Sequence, residues 1–187
     1  MNQDLYEELQ AMVGQEGPQV TGIYEVCKPM IMHWCEAMED TNPLYTDEEY
    51  AKKSKYGNII APPTMVQTFT MPPLWPNGQE LRHRYPEKMP KEEGPPPPSS
   101  VALSKLTEAG YVGVVATENV YEFYRPLFPG DKVNVQIKLG SVSPEKKTSR
   151  GIGHFVTQVR LYTNQKGELI CEQSMTVLKF KSPEKEA

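Results

Sequence analysis

Apolar positions change their period near the middle of the chain. In residues 4–12, Leu5, Leu9 and Met12 share one helical face, and Gly14 closes the run. A short extended stretch, Ile23-Tyr24-Glu25-Val26, comes next. Pro29 stands where a first helical turn tolerates proline and opens a helix over residues 30–38. Asp47 caps a polar helix over 48–53, and an apolar helix begins at Pro63 and runs through Phe69. Ser99 or Ser100 caps a further short helix with Leu103 and Leu106, ended by Gly110. From there the spacing is two. Residues 112–124, 132–142, 153–162 and 168–180 read as strands. Their separators, Pro129-Gly130-Asp131, Ser143-Pro144-Glu145 and Asn164-Gln165-Lys166-Gly167, are turn chemistry. Four sequential strands with short turns predict an antiparallel meander. Helices first and strands second give an α+β architecture in one domain over 1–187.

Proline interrupts this plan. Pro72-Pro73, Pro76, Pro86, Pro90 and the run Pro95-Pro96-Pro97-Pro98 follow one another. Each removes a donor and fixes φ, so residues 71–100 are expected to form a long irregular loop, mobile around 92–99. Residues 182–187 read as a solvated tail. The 187 residues are 38% hydrophobic and 24% charged with a net charge of −4, an ordinary globular balance. Mild acidity argues against a nucleic-acid binder. No run of about 18 apolar residues exists to span a membrane. The start, Met1-Asn2-Gln3-Asp4, lacks the pattern of a secretory signal. Cys27, Cys35 and Cys171 make no CxxC pair, which fits reduced thiols in a cytoplasm.

The densest polar cluster of the first half is Glu39-Asp40-Thr41-Asn42-Pro43-Leu44-Tyr45. Taken alone it is a helix-ending turn in which Asp40 and Asn42 satisfy loose backbone groups. Together with Ile59-Ile60-Ala61-Pro62-Pro63-Thr64, it resembles the hydratase-2 motif of the MaoC-like dehydratases. Tyr124-Arg125-Pro126-Leu127-Phe128-Pro129-Gly130-Asp131 and Thr163-Asn164-Gln165-Lys166-Gly167-Glu168-Leu169 are similar to later motifs of that family. The resemblance implies a hot-dog fold, an antiparallel sheet wrapped around a central helix starting at Pro63. It also implies hydration of a trans-2-enoyl thioester to the (R)-3-hydroxyacyl product. In the family an Asp and a His five residues later hold the attacking water, and His suits proton transfer near neutrality.

Asp40, Asn42, Pro43 and Leu44 match that motif, and Tyr45 stands where the His belongs. A phenol with a reference pKa of about 10 is a poor base at pH 7. The family's glycine N–H at the head of the central helix polarises the thioester carbonyl, whereas this turn reads Ala61-Pro62-Pro63-Thr64. Proline has no N–H, so a donor would come from Thr64 or Met65. Both departures point to the family's non-catalytic subunits of heteromeric dehydratases and steroid-CoA hydratases. The implied partner is a second MaoC-like chain carrying the intact Asp and His.

The helix from Pro63 can reach only about residue 71 before Pro72-Pro73 end it, which leaves room for a bulky, steroid-like acyl group. Met65, Phe69, Leu74 and Trp75 are candidates for an apolar pocket floor, the alternative being simple core packing. Arg82 and Arg84, with His83 and Lys88, are candidates for CoA phosphates or a solvated charged loop. His154, on a predicted strand, is a candidate replacement base or a residue facing a partner or solvent. His33 reads as packed or interfacial. No cluster has metal-ligand spacing and no P-loop or GxGxxG occurs, so no metal and no cofactor is expected beyond the CoA or acyl carrier of the substrate. Three rival functions stand beside this one: a self-sufficient homodimeric hydratase using Asp40 with Tyr45 or His154, a non-enzymatic acyl-thioester-binding or scaffold protein, and a thioesterase.

Overall fold

The period-two stretches build one sheet. The computed structural model describes residues 3–71 and 95–182. In it α1 (Gln3–Ala11) leads to β1 (Val20–Glu25), then to α2 (Lys28–Met38), α3 (Pro43–Thr46) and α4 (Glu48–Lys53). A central 3₁₀ helix (Pro63–Thr70) and α5 (Pro98–Glu108) precede β2 (Gly113–Phe123), β3 (Lys132–Val142), β4 (Lys146–Thr148), β5 (Gly151–Thr163) and β6 (Leu169–Lys181). The strand order is β1-β3-β5-β6-β2, all neighbours antiparallel, with β4 paired to β5.

This order corrects the meander. β3, β5 and β6 do follow one another as hairpins, but β2 lies against β6 and not against β3. The free side of β3 is already taken by β1, which pairs Val20 with Val135 and Thr21 with Asn134. β2 therefore crosses to the far side and forms one rim of the sheet.

The central helix is also a correction, being 3₁₀ over its eight residues where an α-helix was expected. Thr64, Val66, Thr68 and Thr70 put β-branched side chains at alternate positions, which crowds an α-helical turn. In a 3₁₀ helix residues three apart eclipse, and Val66 and Phe69 bury together on that face. The helix fills the main core, where Val66 and Phe69 meet Ile31 of α2, Val133 of β3 and Tyr162 of β5. A second core joins Leu9 of α1 and Leu106 of α5 to Leu139 and Val156. β1 crosses the 3₁₀ helix so closely that a Cβ on Gly22 would stand 1.9 Å from the Phe69 carbonyl oxygen. α5 starts earlier than expected, with Pro98 in its first turn and Ser99 fully buried inside it, so neither serine is the cap. Of the Pro-rich loop, residues 72–94 lie outside the described residues, as do 183–187 of the tail. No helix among the described residues is long and apolar enough to cross a membrane.

Candidate active site

α2 stops because Glu39 takes the left-handed conformation (φ 55°) and the Asp40 N–H donates back to the Cys35 carbonyl at 2.9 Å. Asp40 Oδ1 then accepts from Asn42 N–H at 3.0 Å, and Asn42 Oδ1 accepts from Leu44 N–H at 3.1 Å. With Pro43 in its first turn and Asn42 as cap, the single-turn α3 follows, an element that reading the motif as a turn had missed. Both acidic and amide side chains thus spend acceptors on their own loop. Tyr45, projecting from α3, packs against the main core. Burial first, then the Asp40 carboxylate, holds its phenol above the ordinary tyrosine range. Cys35 beneath is likewise pushed up by burial and then by Asp40.

Two backbone bonds draw the other motifs to this turn. Ile60 N–H donates to the Leu44 carbonyl at 3.3 Å, and Ala61 N–H to the Leu127 carbonyl at 2.8 Å. Asp131, 7% exposed, accepts from Phe128 N–H at 2.9 Å and pairs with Arg125 at 3.2 Å, locking the turn after β2. Asn164 accepts from both Lys166 N–H and Glu168 N–H at 2.9 Å and so sets the β5–β6 turn. At the head of the 3₁₀ helix, Pro62 and Pro63 offer no N–H, and Met65 N–H donates to the Pro62 carbonyl at 2.9 Å. Thr64, the next residue with an N–H, is exposed.

The histidines fall elsewhere. His33 is exposed and sits 3.3 Å from Glu36 one turn on. His154 does not face solvent: it is 3% exposed, its Nδ1 lies 2.9 Å from the Ser143 carbonyl, and its ring meets Tyr111 edge-on at 4.9 Å, beside the second core. Neither is bonded to Asp40. His83 lies outside the described residues, as do Leu74, Trp75, Arg82, Arg84 and Lys88. Met65 and Phe69 are 1% and 0% exposed in the main core, so in the isolated chain they are packing residues. Among the described residues no group of His, Cys, Asp and Glu is placed to hold a metal ion.

Sequence reasoning missed a cleft of about 320 Å³ between residues 55–63 and 123–127. Lys55, Tyr56, Ala61 and Pro63 line it together with Phe123, Tyr124 and Arg125. The cleft joins the head of the 3₁₀ helix to the end of β2. A smaller depression of about 280 Å³ holds Asp40 with Cys35, Glu39 and Thr46.

An antiparallel sheet over a short central helix, with the Asp40 turn tied to the helix head, defines the hot-dog fold of MaoC-like dehydratases. Residues 11–173 match the family described as FAS1-like, dehydratase domain region, and the chain belongs to that family. A Thermomonospora curvata protein named "Probable enoyl-CoA hydratase alpha subunit" is 40% identical over 184 residues, covering 96% of this chain and 53% of its own length. The 3-oxo-4,17-pregnadiene-20-carboxyl-CoA hydratase alpha subunit of Mycobacterium tuberculosis is 35% identical over 156 residues, covering 83% of this chain and 45% of its own. The chain thus spans about half the length of these relatives. A chain of the ChsH1-ChsH2 complex from Mycobacterium tuberculosis superposes with a TM-score of 0.77 at 30% identity, over 98% of this chain and 93% of that one. The MaoC-like dehydratase of Rhodospirillum rubrum, at TM-score 0.55 and 20% identity over 89% of this chain and 93% of its own, shares the fold.

Proposed function

We propose that the chain is the acyl-binding subunit of a heteromeric enoyl-CoA hydratase. The complex adds water to a trans-2-enoyl thioester, giving the (R)-3-hydroxyacyl thioester, with a bulky or steroid-like acyl group favoured. A second MaoC-like subunit supplies the Asp and His that hold the water, and this chain supplies acyl-binding surface. The observation that carries the reading is Tyr45 beside Asp40: the phenol keeps its proton at neutral pH, so the turn holds no base matched to the task. The two prolines at the helix head remove the usual carbonyl-polarising donor as well. Names of the relatives, both alpha subunits, support the assignment to a complex. The cleft beside Pro63 is where the thioester would pass, and Thr64 follows that proline in the chain. No cofactor is needed beyond the CoA or acyl carrier, and a cytoplasmic setting suits three free cysteines.

Steady-state hydration assays test this reading. The purified chain alone should hydrate enoyl-CoA negligibly, activity should appear with the partner subunit, and Asp40→Ala should change it by less than about twofold. Robust activity of the chain alone, lost in Asp40→Ala, would overturn the assignment and favour a self-sufficient enzyme.

A further inference from the structure

Between the two cores, the helix-facing side of the sheet turns polar. Gln158, Arg160 and Tyr162 alternate onto that side of β5. Tyr162 is wholly buried in the main core, and Gln158 donates to Ser99 Oγ of α5 at 2.9 Å. Arg160 lies between them, opposite Ile137 of β3 and Gln173 of β6. Gln173 is 1% exposed, and all four of its hydrogen-bonding positions are used. Its Oε1 accepts from Tyr162 Oη at 2.9 Å and Arg160 Nη1 at 3.3 Å, while its Nε2 donates to Asn119 Oδ1 at 2.9 Å and Tyr121 Oη at 2.8 Å. The Tyr121 hydroxyl in turn donates toward Gln67 of the 3₁₀ helix at 3.5 Å.

Such a network fixes its members tightly and ends on a cation. Arg160 is only partly buried, and among the described residues it meets two neutral oxygens, Gln173 Oε1 and the Tyr162 hydroxyl, with no ion pair to a carboxylate. A guanidinium carries five donors, so most of this one's remain to be met. Withdrawn under a sheet without an anion it is poorly matched, whereas an oxygen acceptor brought to it gains a charge-assisted bond.

We propose that Arg160, oriented by Gln173 and Tyr162, is a subsite for an oxygen atom at the far end of the acyl group, a ketone or a carboxylate, so that the chain selects acyl groups oxygenated away from the thioester. The proposal rests on the reading of the chain as an acyl-binding subunit and adds the chemical class it prefers. Apolar residues of the main core flank the band on one side and those around α5 on the other, so the arrangement suits a bulky hydrocarbon with a single polar terminus.

Calorimetric titration of the full chain tests it with three CoA thioesters sharing a 2-enoyl group and a terminal cyclohexane ring. One ring is unsubstituted, one carries a ketone and one a carboxylate. An oxygenated ligand should bind about tenfold more tightly than the bare one, and which of the two gains more identifies the terminus. Arg160→Met should abolish that advantage and leave affinity for the bare ligand unchanged. Arg160→Lys should retain part of it, which also covers the case in which the methionine variant does not fold. Equal binding of all three ligands to the unmodified chain overturns the subsite while leaving the acyl-binding reading intact. Equal weakening of all three by both substitutions shows a structural strut and overturns it too. Binding of none of them overturns the acyl-binding reading, and the subsite with it.

Discussion

Tyr45, Tyr111 and Tyr162 are phenols that the fold keeps neutral. Burial pushes Tyr162 up to about 12, and burial followed by the bond to the Glu145 carboxylate does the same for Tyr111. Cys171 is pushed up to about 11, again by burial. Each group holds its proton more firmly folded than unfolded, so each contributes stability that is complete below its unfolded value and lost as pH rises through the folded one. Urea midpoints should therefore be level up to about pH 9, where an unfolded thiol begins to ionise, and fall steadily to about pH 12. Tyr162→Phe should make the fall shallower, because it removes one of the protons that the native state holds more firmly than the unfolded chain. At this scale the Asp40 turn was legible in the sequence, since side chains that cap their own loop leave a local signature of Asp, Asn and Pro. Arg160 and Gln173 were not: they stand at inward strand positions where alternation places core side chains, and only their pairing across β5 and β6 shows them as a network.

Elements were legible where the signal was local. The long strands came from alternation bounded by proline, glycine and asparagine turns, and those boundaries hold to within about three residues. The 3₁₀ form of the central helix was written in alternate threonines and valine, a pattern that an apolar moment alone cannot separate from an α-helix. The strand β4 is only three residues long and carries no periodicity to read. At Gly22 two elements meet backbone to backbone, where any added carbon displaces either β1 or the 3₁₀ helix. Gly22→Ala should cost about 2 kcal/mol, lowering the melting temperature by roughly 4–8 °C in differential scanning calorimetry. An unchanged melting temperature would show that β1 can lift from the helix freely.

For the whole molecule the telling feature is β2. It is a rim strand of eleven residues that exposes apolar side chains, with Val114 at 60%, Val120 at 50% and Phe123 at 41%. An open strand edge of this length and character is a ready pairing surface, and natural proteins cover such edges or blunt them with charge. The double substitution Val114→Lys, Val120→Lys should leave the melting temperature within about 2 °C of the parent, because both positions are solvent-facing in the single chain. It should abolish association with a second subunit in sedimentation velocity. Persistence of the complex would place its interface elsewhere. Strand order, which sets this rim, was beyond local reading, because the choice between β3 and β6 as the neighbour of β2 depends on β1, far earlier in the chain.

Pairing β2 to β6 also has a consequence in time. The ribosome finishes β2 58 residues before β6 is complete, and β6 is the neighbour to which β2 is bonded. At about 5–20 residues per second, that interval lasts roughly 3–12 seconds. Throughout it, a valine-rich ribbon waits on the growing polypeptide with both flanks open. A copy on a neighbouring ribosome has that window in which to pair with it, and slowing translation between codons 124 and 168 should lengthen it.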